Sequence, residues 1–462
     1  MLFNSLGFLL LFLPITYFVF WRLKTREQRY IWLTITGYVF YSFWNYKFCA
    51  LMAFSTLVSY FGGLGMLRSH QPGFRKLCLI IPIATDLLLL GFFKYTNFIL
   101  SSTGWVAGWL GIPFQPPAFS IVLPVGISFY TFHTITYVVD CYRGTIKPTR
   151  HFFEFSCYVS LFSQLVAGPI VRFRQIEGDL DKIDQADRKA SLNSGWSFFV
   201  IGMIKKVILA DTLAALINPV LNEQTEFSTV TAWLCMLGYT YQLYFDFSGY
   251  SDMAVGLGRL FGLRLPQNFN SPYQATSPAD FWRRWHISLS SCLRDYLYIP
   301  LGGSRGTHWQ TYRNVIITML LGGLWHGANW TFVFWGFYHG LLLVAHRQFA
   351  STWERLPMGI QRAMTFILVV LGWVFFRSTN FTMALALLRA MFGWVAGPLL
   401  PWGITLLIVL GAAAAVAHAG RNTFELRHEW HAGPSMGWAS LFAICLFLIY
   451  GGQPSPFLYF QF

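Results

Sequence analysis

Charge is what this chain has least of. Only 11% of its 462 residues are Asp, Glu, Lys or Arg, against about 25% in an ordinary soluble domain. A folded soluble protein of this length needs more charged surface, and a disordered chain has far less apolar content. Cysteine is also scarce. The seven cysteines (49, 78, 141, 157, 235, 292 and 445) are odd in number, scattered, and never form Cys-x-x-Cys. They suggest neither a disulfide framework nor a zinc site, and read as small buried apolar residues. The 40 glycines follow no three-residue period, which excludes a collagen-like chain. No repeat, low-complexity tract or Ser/Gly linker interrupts the sequence, and no basic, aromatic-interleaved soluble segment suggests a nucleic-acid reader. What is present is 55% hydrophobic residues, 19% aromatic residues and a formal charge of +14. That composition predicts an all-α, polytopic integral membrane bundle, read as one domain over residues 1–462, in contact with membrane lipids.

A spanning helix needs about 20 mostly apolar residues. The first such run, 2–21, has no basic residue before it and no small-x-small cleavage pattern after it, so it does not read as a signal peptide. Arg22, Lys24, Arg26 and Arg29 follow it. The positive-inside rule places that loop in the cytoplasm and the N-terminus outside. Runs 30–43 and 48–67 lead to Arg68, Arg75 and Lys76. Run 77–100 leads to an uncharged loop at 101–115, and run 121–139 to Arg143, Lys147 and Arg150. These five runs agree on one orientation. Run 152–170 either spans or turns back, because 171–191 carries five basic and five acidic residues and gives no vote. Further candidates are 193–219, 230–260, 312–325, 331–346, 363–376, 402–418 and 438–450. The total is about ten to twelve membrane segments, some too short to span. The amphipathic stretch 261–313 predicts interfacial or re-entrant helices.

Ionisable residues inside apolar runs are functional candidates. The densest group is Phe281-Trp282-Arg283-Arg284-Trp285-His286, continuing through Arg294 to Gly303. It is followed by Gly322-Gly323-Leu324-Trp325-His326-Gly327-Ala328-Asn329. The glycines around His326 permit a broken helix or close packing. A break would turn the imidazole toward a cavity, where it can take a proton from a hydroxyl and return it to a leaving group. His286 would orient it or bind substrate. The competing reading of each histidine is a satisfied hydrogen bond in the core, and His339 reads as packing. A second constellation, Tyr241 through Asp252, holds two carboxylates. Asp246 would accept from a Trp, a Tyr or the Arg283/Arg284 cluster, and the six-residue spacing to Asp252 does not place the pair on one helix face. Gly256-Leu257-Gly258 lacks the Lys-Ser/Thr of a phosphate loop and reads as helix packing. Seven arginines lie between Arg259 and Arg313, against Asp280 and Asp295. That excess serves lipid headgroups, the phosphates of a nucleotide-bearing acyl donor, or topology alone.

Several blocks resemble the membrane-bound O-acyltransferase family. They are Leu123-Pro124-Val125-Gly126-Ile127-Ser128-Phe129-Tyr130, Ala167-Gly168-Pro169-Ile170, Tyr244-Phe245-Asp246-Phe247-Ser248-Gly249-Tyr250-Ser251-Asp252-Met253, Asn268-Phe269-Asn270-Ser271-Pro272-Tyr273, the 281–303 block, and Trp325-His326-Gly327-Ala328. They cover about 120–345, and the likeness is nearest the bacterial branch that acetylates alginate and other polysaccharides. The resemblance implies a helical bundle around a thinned funnel and tunnel. His326 is implied as the catalytic residue and His286 as the second family-marking polar position. Acetyl-CoA is implied as acyl-donor substrate, with no bound cofactor and no metal, and the hydroxyls of an exported polysaccharide as acceptor. Arg283, Arg284, Trp285, Trp325, Asn329, Asp246 and Tyr241 become candidates for donor or substrate binding. The branch also implies a multi-pass protein of the bacterial cytoplasmic (inner) membrane. A separate extracytoplasmic esterase-like acetyltransferase partner is implied by analogy, because Gly178-Asp179-Leu180 is no Gly-Asp-Ser nucleophile motif and no soluble domain is appended. Two rival readings stand beside this one: D-alanyl transfer to teichoic acid from a carrier protein, and a transporter of acyl groups or glycans without chemistry.

Overall fold

The computed structural model describes residues 1–117, 119–223, 226–397, 402–428, 432–452 and 457–458. Among them there are helices and no strand. The chain divides into two compact units, Met1–Trp196 with Ala254–Pro266, and Ser197–Met253 with Gln267–Phe462.

The first unit is built from α1 (Phe8–Arg22), α2 (Arg26–Asn45), α3 (Lys47–Arg68), α4 (Pro72–Trp109), α5 (Ile127–Arg143), α6 (Phe152–Ser160) and α7 (Phe173–Leu180). α3 packs on α4 and α5, and α2 on α6. Two expectations change here. Residues 101–109 are not loop but the end of α4, one helical run of 38 residues. Nothing in Ser101–Trp109 breaks a helix, because lack of charge is not a turn signal. The run 152–170 turns back: α6 has nine residues, stops at Leu161, and is followed by a four-residue helix. Nine residues rise about 13 Å, less than half the roughly 30 Å of a bilayer core. Asp86 on α4 is buried, and its carboxylate accepts from Ser55 Oγ and Thr134 Oγ1, both at 2.6 Å. Those hydroxyls satisfy a group that would otherwise be costly in an apolar interior.

The helix α8 (Arg188–Ile204) continues through a π-helical turn, Lys205–Ala210, into α9 (Asp211–Glu223). α10 is the long Thr229–Leu260 helix, and the Gly256/Gly258 stretch falls inside it. The second unit then contains α11 (Pro278–Arg284), α12 (Ile287–Leu293), α13 (His308–His326), α14 (Trp330–Gln348), α15 (Met358–Arg377), α16 (Phe381–Phe392), α17 (Gly403–Ala419) and α18 (Ala432–Gly451). From 261 to 307 every helix is short, the longest run being Ile287–Leu293 with the π-helical turn Arg294–Tyr298 that continues it. Among the described residues three helices, α3, α4 and α15, are long and apolar enough to cross a membrane. Large apolar side chains such as Leu88, Trp105, Ile404 and Phe447 stand exposed on α4, α17 and α18, as lipid-facing positions do.

The α13–α14 hairpin is the tightest helix pair in the second unit. A Cβ at Gly323 would stand 2.2 Å from the Phe332 carbonyl oxygen, and one at Gly336 would stand 2.2 Å from the Met319 carbonyl oxygen. The obstacle is backbone in both cases, so it cannot swing aside. Gly336→Ala is therefore expected to lower the thermal midpoint of the purified protein, at a cost of at least the roughly 1–3 kcal/mol of an overpacked core. Gly359→Ala, with open space around the new methyl, should leave it unchanged. Equal midpoints for the two variants would refute the close packing.

Candidate functional site

The hairpin puts His326 at the last position of α13. Gly327 takes an extended conformation, and Asn329 caps α14, its Oδ1 accepting from the Thr331 N–H at 3.1 Å. The helix does not break within the Gly322-Gly323 pair. It ends immediately after the imidazole. His326 is 4% exposed, with Trp325, Trp335 and Phe376 rings centred 5.0, 5.1 and 5.3 Å away. The carbonyl end of a 19-residue helix favours transient positive charge at this position.

His286 lies between α11 and α12, its ring centre 6.4 Å from that of His326. Its φ of +44° is left-handed, a conformation that costs a residue with a side chain about 1–2 kcal/mol. Asn268 holds it there. The Asn268 backbone carbonyl accepts from the Ile287 N–H at 2.9 Å. Its Oδ1 accepts from the Ser288 N–H at 3.2 Å and Ser288 Oγ at 2.9 Å, and it faces His286 Nδ1 at 3.1 Å. A backbone N–H only donates, so the amide orientation of Asn268 is fixed. A carbonyl oxygen only accepts, so Nδ1 carries the hydrogen and a neutral His286 keeps its lone pair on Nε2. Burial pushes this imidazole well below its usual range, so it stands neutral at pH 7. Asn268→Ala should free the ring to change tautomer and lower turnover about tenfold or more. Asn268→Asp keeps an acceptor at Oδ1, and Ser251, which now accepts from Asn268 Nδ2 at 3.1 Å, can rotate to donate. Failure of Asp to recover more activity than Ala would exclude the tautomer role.

One cavity is lined by His326 itself, and another by the residues that directly follow it. The first, of about 180 Å³, runs along α13 from Val315 through Thr318, Met319 and Gly322 to His326, and along α14 from Trp335 to Leu343. The eleven helical steps from Val315 to His326 rise about 16 Å. Trp282, Leu289 and Leu293 complete an apolar wall, and Ser290, Arg294 and Tyr298 supply polar groups. The second, of about 510 Å³, begins where α13 ends. Gly327, Ala328, Asn329 and Phe332 line it, with Phe376 through Thr379 at the end of α15, Asn218 and Asn222 of α9, Tyr239 of α10, and Leu458.

The structure brings His326, His286 and Trp325 together, with Trp325 centred 6.0 Å from His286. Asn329 lines the second cavity, and its Nδ2 donates to the Thr379 carbonyl at 2.8 Å. Trp285 is buried in an aromatic stack with Phe269, Phe281 and Trp373 and lines neither cavity. Tyr241 hydrogen-bonds His418 at 3.0 Å and also lines neither. Arg283 and Arg284 both pair with Asp280, at 3.6 and 3.0 Å, and Arg294 is the arginine at the apolar cavity. Asp246 pairs with Lys206 at 2.5 Å, rather than with the Arg283/Arg284 cluster. His339 packs among Phe281, Trp282 and Trp335. Asn268, Arg294 and Arg377 were not singled out from sequence. Asn268 sits inside a motif block and Arg294 inside the arginine-rich stretch, so both carried a signal, whereas Arg377 is an unremarked residue closing an apolar run. Among the described residues no three His, Cys, Asp or Glu side chains gather as metal ligands.

The description of the membrane-bound O-acyltransferase family matches residues 141–387, more than half of the chain. The chain belongs to the membrane-bound O-acyltransferase family. Both histidines and every residue lining the apolar cavity fall inside the matched region. A protein of Pseudomonas aeruginosa named as an alginate O-acetylase is 44% identical over 404 residues, covering 85% of this chain and 75% of its own length. A protein of Pseudomonas putida with the same name is 40% identical over 500 residues, with both chains covered in full. The peptidoglycan O-acetyltransferase of Helicobacter pylori is 37% identical over 426 residues, covering 85% of this chain and 80% of its own length. This membrane-bound O-acyltransferase is an O-acetyltransferase.

Proposed function

We propose that this membrane O-acetyltransferase moves an acetyl group from cytoplasmic acetyl-CoA to hydroxyls of an exported polysaccharide, an alginate-like or other cell-surface glycan, directly or through an extracytoplasmic esterase-like partner. The observation that carries the reading is the position of His326, which lines an apolar cavity along α13 and is followed directly by residues lining a polar one. An apolar cavity of about 150 Å³ admits benzene. A cavity of about 180 Å³ therefore suits a short acyl group and not a long chain. Arg294 and Tyr298 are placed to meet the donor's polar end, with Arg283 and Arg284 on the neighbouring short helix as further phosphate contacts.

In this reading His326 accepts the proton of the acceptor hydroxyl as its oxygen attacks the thioester carbonyl. The C–S bond breaks, the ester C–O bond forms, and the proton returns from the imidazolium to the departing thiolate. His286, held by Asn268, orients the reacting group or binds it. The bacterial inner membrane is the proposed location, and the basic loops of the first unit support an N-terminus outside.

The test is the purified full chain with acetyl-labelled acetyl-CoA and an oligosaccharide, with and without the extracytoplasmic partner. Labelled ester on the sugar and stoichiometric free CoA are expected. A requirement for an aminoacylated carrier protein in place of acetyl-CoA would establish D-alanyl transfer instead, and glycan movement without thioester cleavage would establish transport. Neighbouring genes for polysaccharide polymerisation and export, rather than for a carrier and its ligase, are the expected context.

A further inference from the structure

Beyond α17 the chain forms a strap, 421–428, built around the 3₁₀ turn Thr423–Glu425. Its anchor is Asp252 of α10, the second carboxylate of the constellation that begins at Tyr241. Asp252 Oδ2 accepts from Lys205 Nζ at 2.6 Å and from Thr423 Oγ1 at 2.7 Å, and Lys205 Nζ also donates to Thr423 Oγ1 at 2.8 Å. Asp252 and Thr423 are buried. The Thr423 carbonyl accepts from His428 Nε2 at 2.9 Å, and His428 Nδ1 meets Ser197 Oγ of α8 at 2.9 Å. The strap is thus tied to α8, to the π-helical turn after it and to α10.

What the strap presents is Asn422. Its Oδ1 caps the turn, accepting from the Phe424 N–H at 3.1 Å, and its Nδ2 donates to the Phe269 carbonyl at 2.9 Å. Phe269 is the neighbour of Asn268, which holds the His286 ring. The Asn268 carbonyl accepts from the Ile287 N–H, and the Asn270 N–H donates to the Arg284 carbonyl, each at 2.9 Å. In extended backbone successive residues turn their polar groups to opposite sides. The Phe269 carbonyl therefore faces away from 284–287, and there Asn422 meets it. Gln267 Nε2 also donates to this carbonyl, at 2.7 Å, but it belongs to the same segment and moves with it. Asn422 ties the segment to a distant part of the chain.

We propose that Asn422 is a positioning residue for the reaction: anchored through Thr423 and Asp252, it fixes the 268–270 segment, and that segment keeps His286 in one tautomer. The assignment rests on the acetyl-transfer reading above and adds the residues that hold His286 in place. Asn268 Oδ1 and His286 Nδ1 are 3.1 Å apart, so a displacement of about 0.4 Å takes them out of hydrogen-bonding range. The Phe269 ring packs against Phe247 and Trp285, with centres 4.9 and 5.0 Å away. That packing holds the ring, whereas the Asn422 amide sets the peptide plane.

Two substitutions separate the two jobs of Asn422. Ser keeps a capping oxygen and lacks the amide, and Ala lacks both. The purified full chain is assayed with labelled acetyl-CoA, oligosaccharide and the extracytoplasmic partner. Asn422→Ser and Asn422→Ala should both lower kcat about fivefold or more without exceeding Asn268→Ala, since small misplacements near a reacting group are costly. The KM for acetyl-CoA should stay within about twofold of wild type, because the donor contacts are untouched. Only Asn422→Ala should lower the thermal midpoint. Asn422→Ser combined with Asn268→Ala should be no slower than Asn268→Ala alone, because both act through one clamp. Wild-type kcat in Asn422→Ser, a midpoint as low as that of Asn422→Ala, or losses that multiply in the double variant would overturn the proposal. Failure of the acetyl-transfer reading would appear in wild type itself, as absence of acetyl-CoA cleavage.

Discussion

Replacing His326 with Ala is expected to lower O-acetylation by about two to four powers of ten, the range removed when a general base is lost. The chain should still fold. The hairpin beneath His326 is held by the Gly323 and Gly336 contacts and the Asn329 cap. His326→Ala should therefore elute and melt like wild type while forming little acetyl ester. The same residue borders the donor cavity, so binding and chemistry must be measured separately. If His326 is the base, kcat falls much more than the affinity for acetyl-CoA. An equal fall in both would make it a wall of the cavity, and full activity would remove it from the mechanism. His286→Ala should cost less. Its imidazole stands one ring beyond His326, 6.4 Å between centres, and its proposed role is orientation rather than carrying the transferred proton.

Helix positions and the pairing of His286 with His326 were legible because each rests on a local pattern. Apolar runs of spanning length mark α3, α4 and α15, and two dense Trp/Arg/Gly motifs mark the histidines. What was not legible depended on partners distant in sequence. The apolar run 152–170 reads by composition as either a span or a turn back, and only the stop at Leu161 decides between them. The clamp on His286 comes from Asn268, 18 residues earlier. Arg283 and Arg284 suggest a phosphate site by density alone, yet Asp280, three and four residues before them, pairs with both. Arg377 lies 155 residues from the Asn222 it bonds, and no local spacing connects them.

Asp246 shows the same limit with the largest energetic consequence. A carboxylate in an apolar run must find a cation or move toward neutrality, and its cation is Lys206, from the π-helical turn between α8 and α9. Lys206 Nζ donates to Asp246 Oδ1 at 2.5 Å and to Asp211 Oδ1 at 2.7 Å, and the Lys206 and Asp246 side chains are each 3% exposed. The other Asp246 oxygen accepts from the Leu458 N–H at 3.0 Å, and Leu458 lines the polar cavity. Asp246 thus reaches the site through backbone it holds, without lining either cavity itself. Lys206→Ala leaves the buried Asp246 carboxylate without its lysine. Breaking a buried pair from one side costs about 3–5 kcal/mol, a large share of an ordinary folding stability of about 5–15 kcal/mol. The expected result is a collapse in the yield of monodisperse protein, and a large fall in thermal midpoint for whatever is recovered. Lys206→Met with Asp246→Asn removes both charges and keeps the volume, so it should recover much of the loss. Leu458 then loses its charged anchor at the polar cavity, while the rest of the stability should return. A double variant no more stable than Lys206→Ala would show that the turn needs lysine for something other than charge.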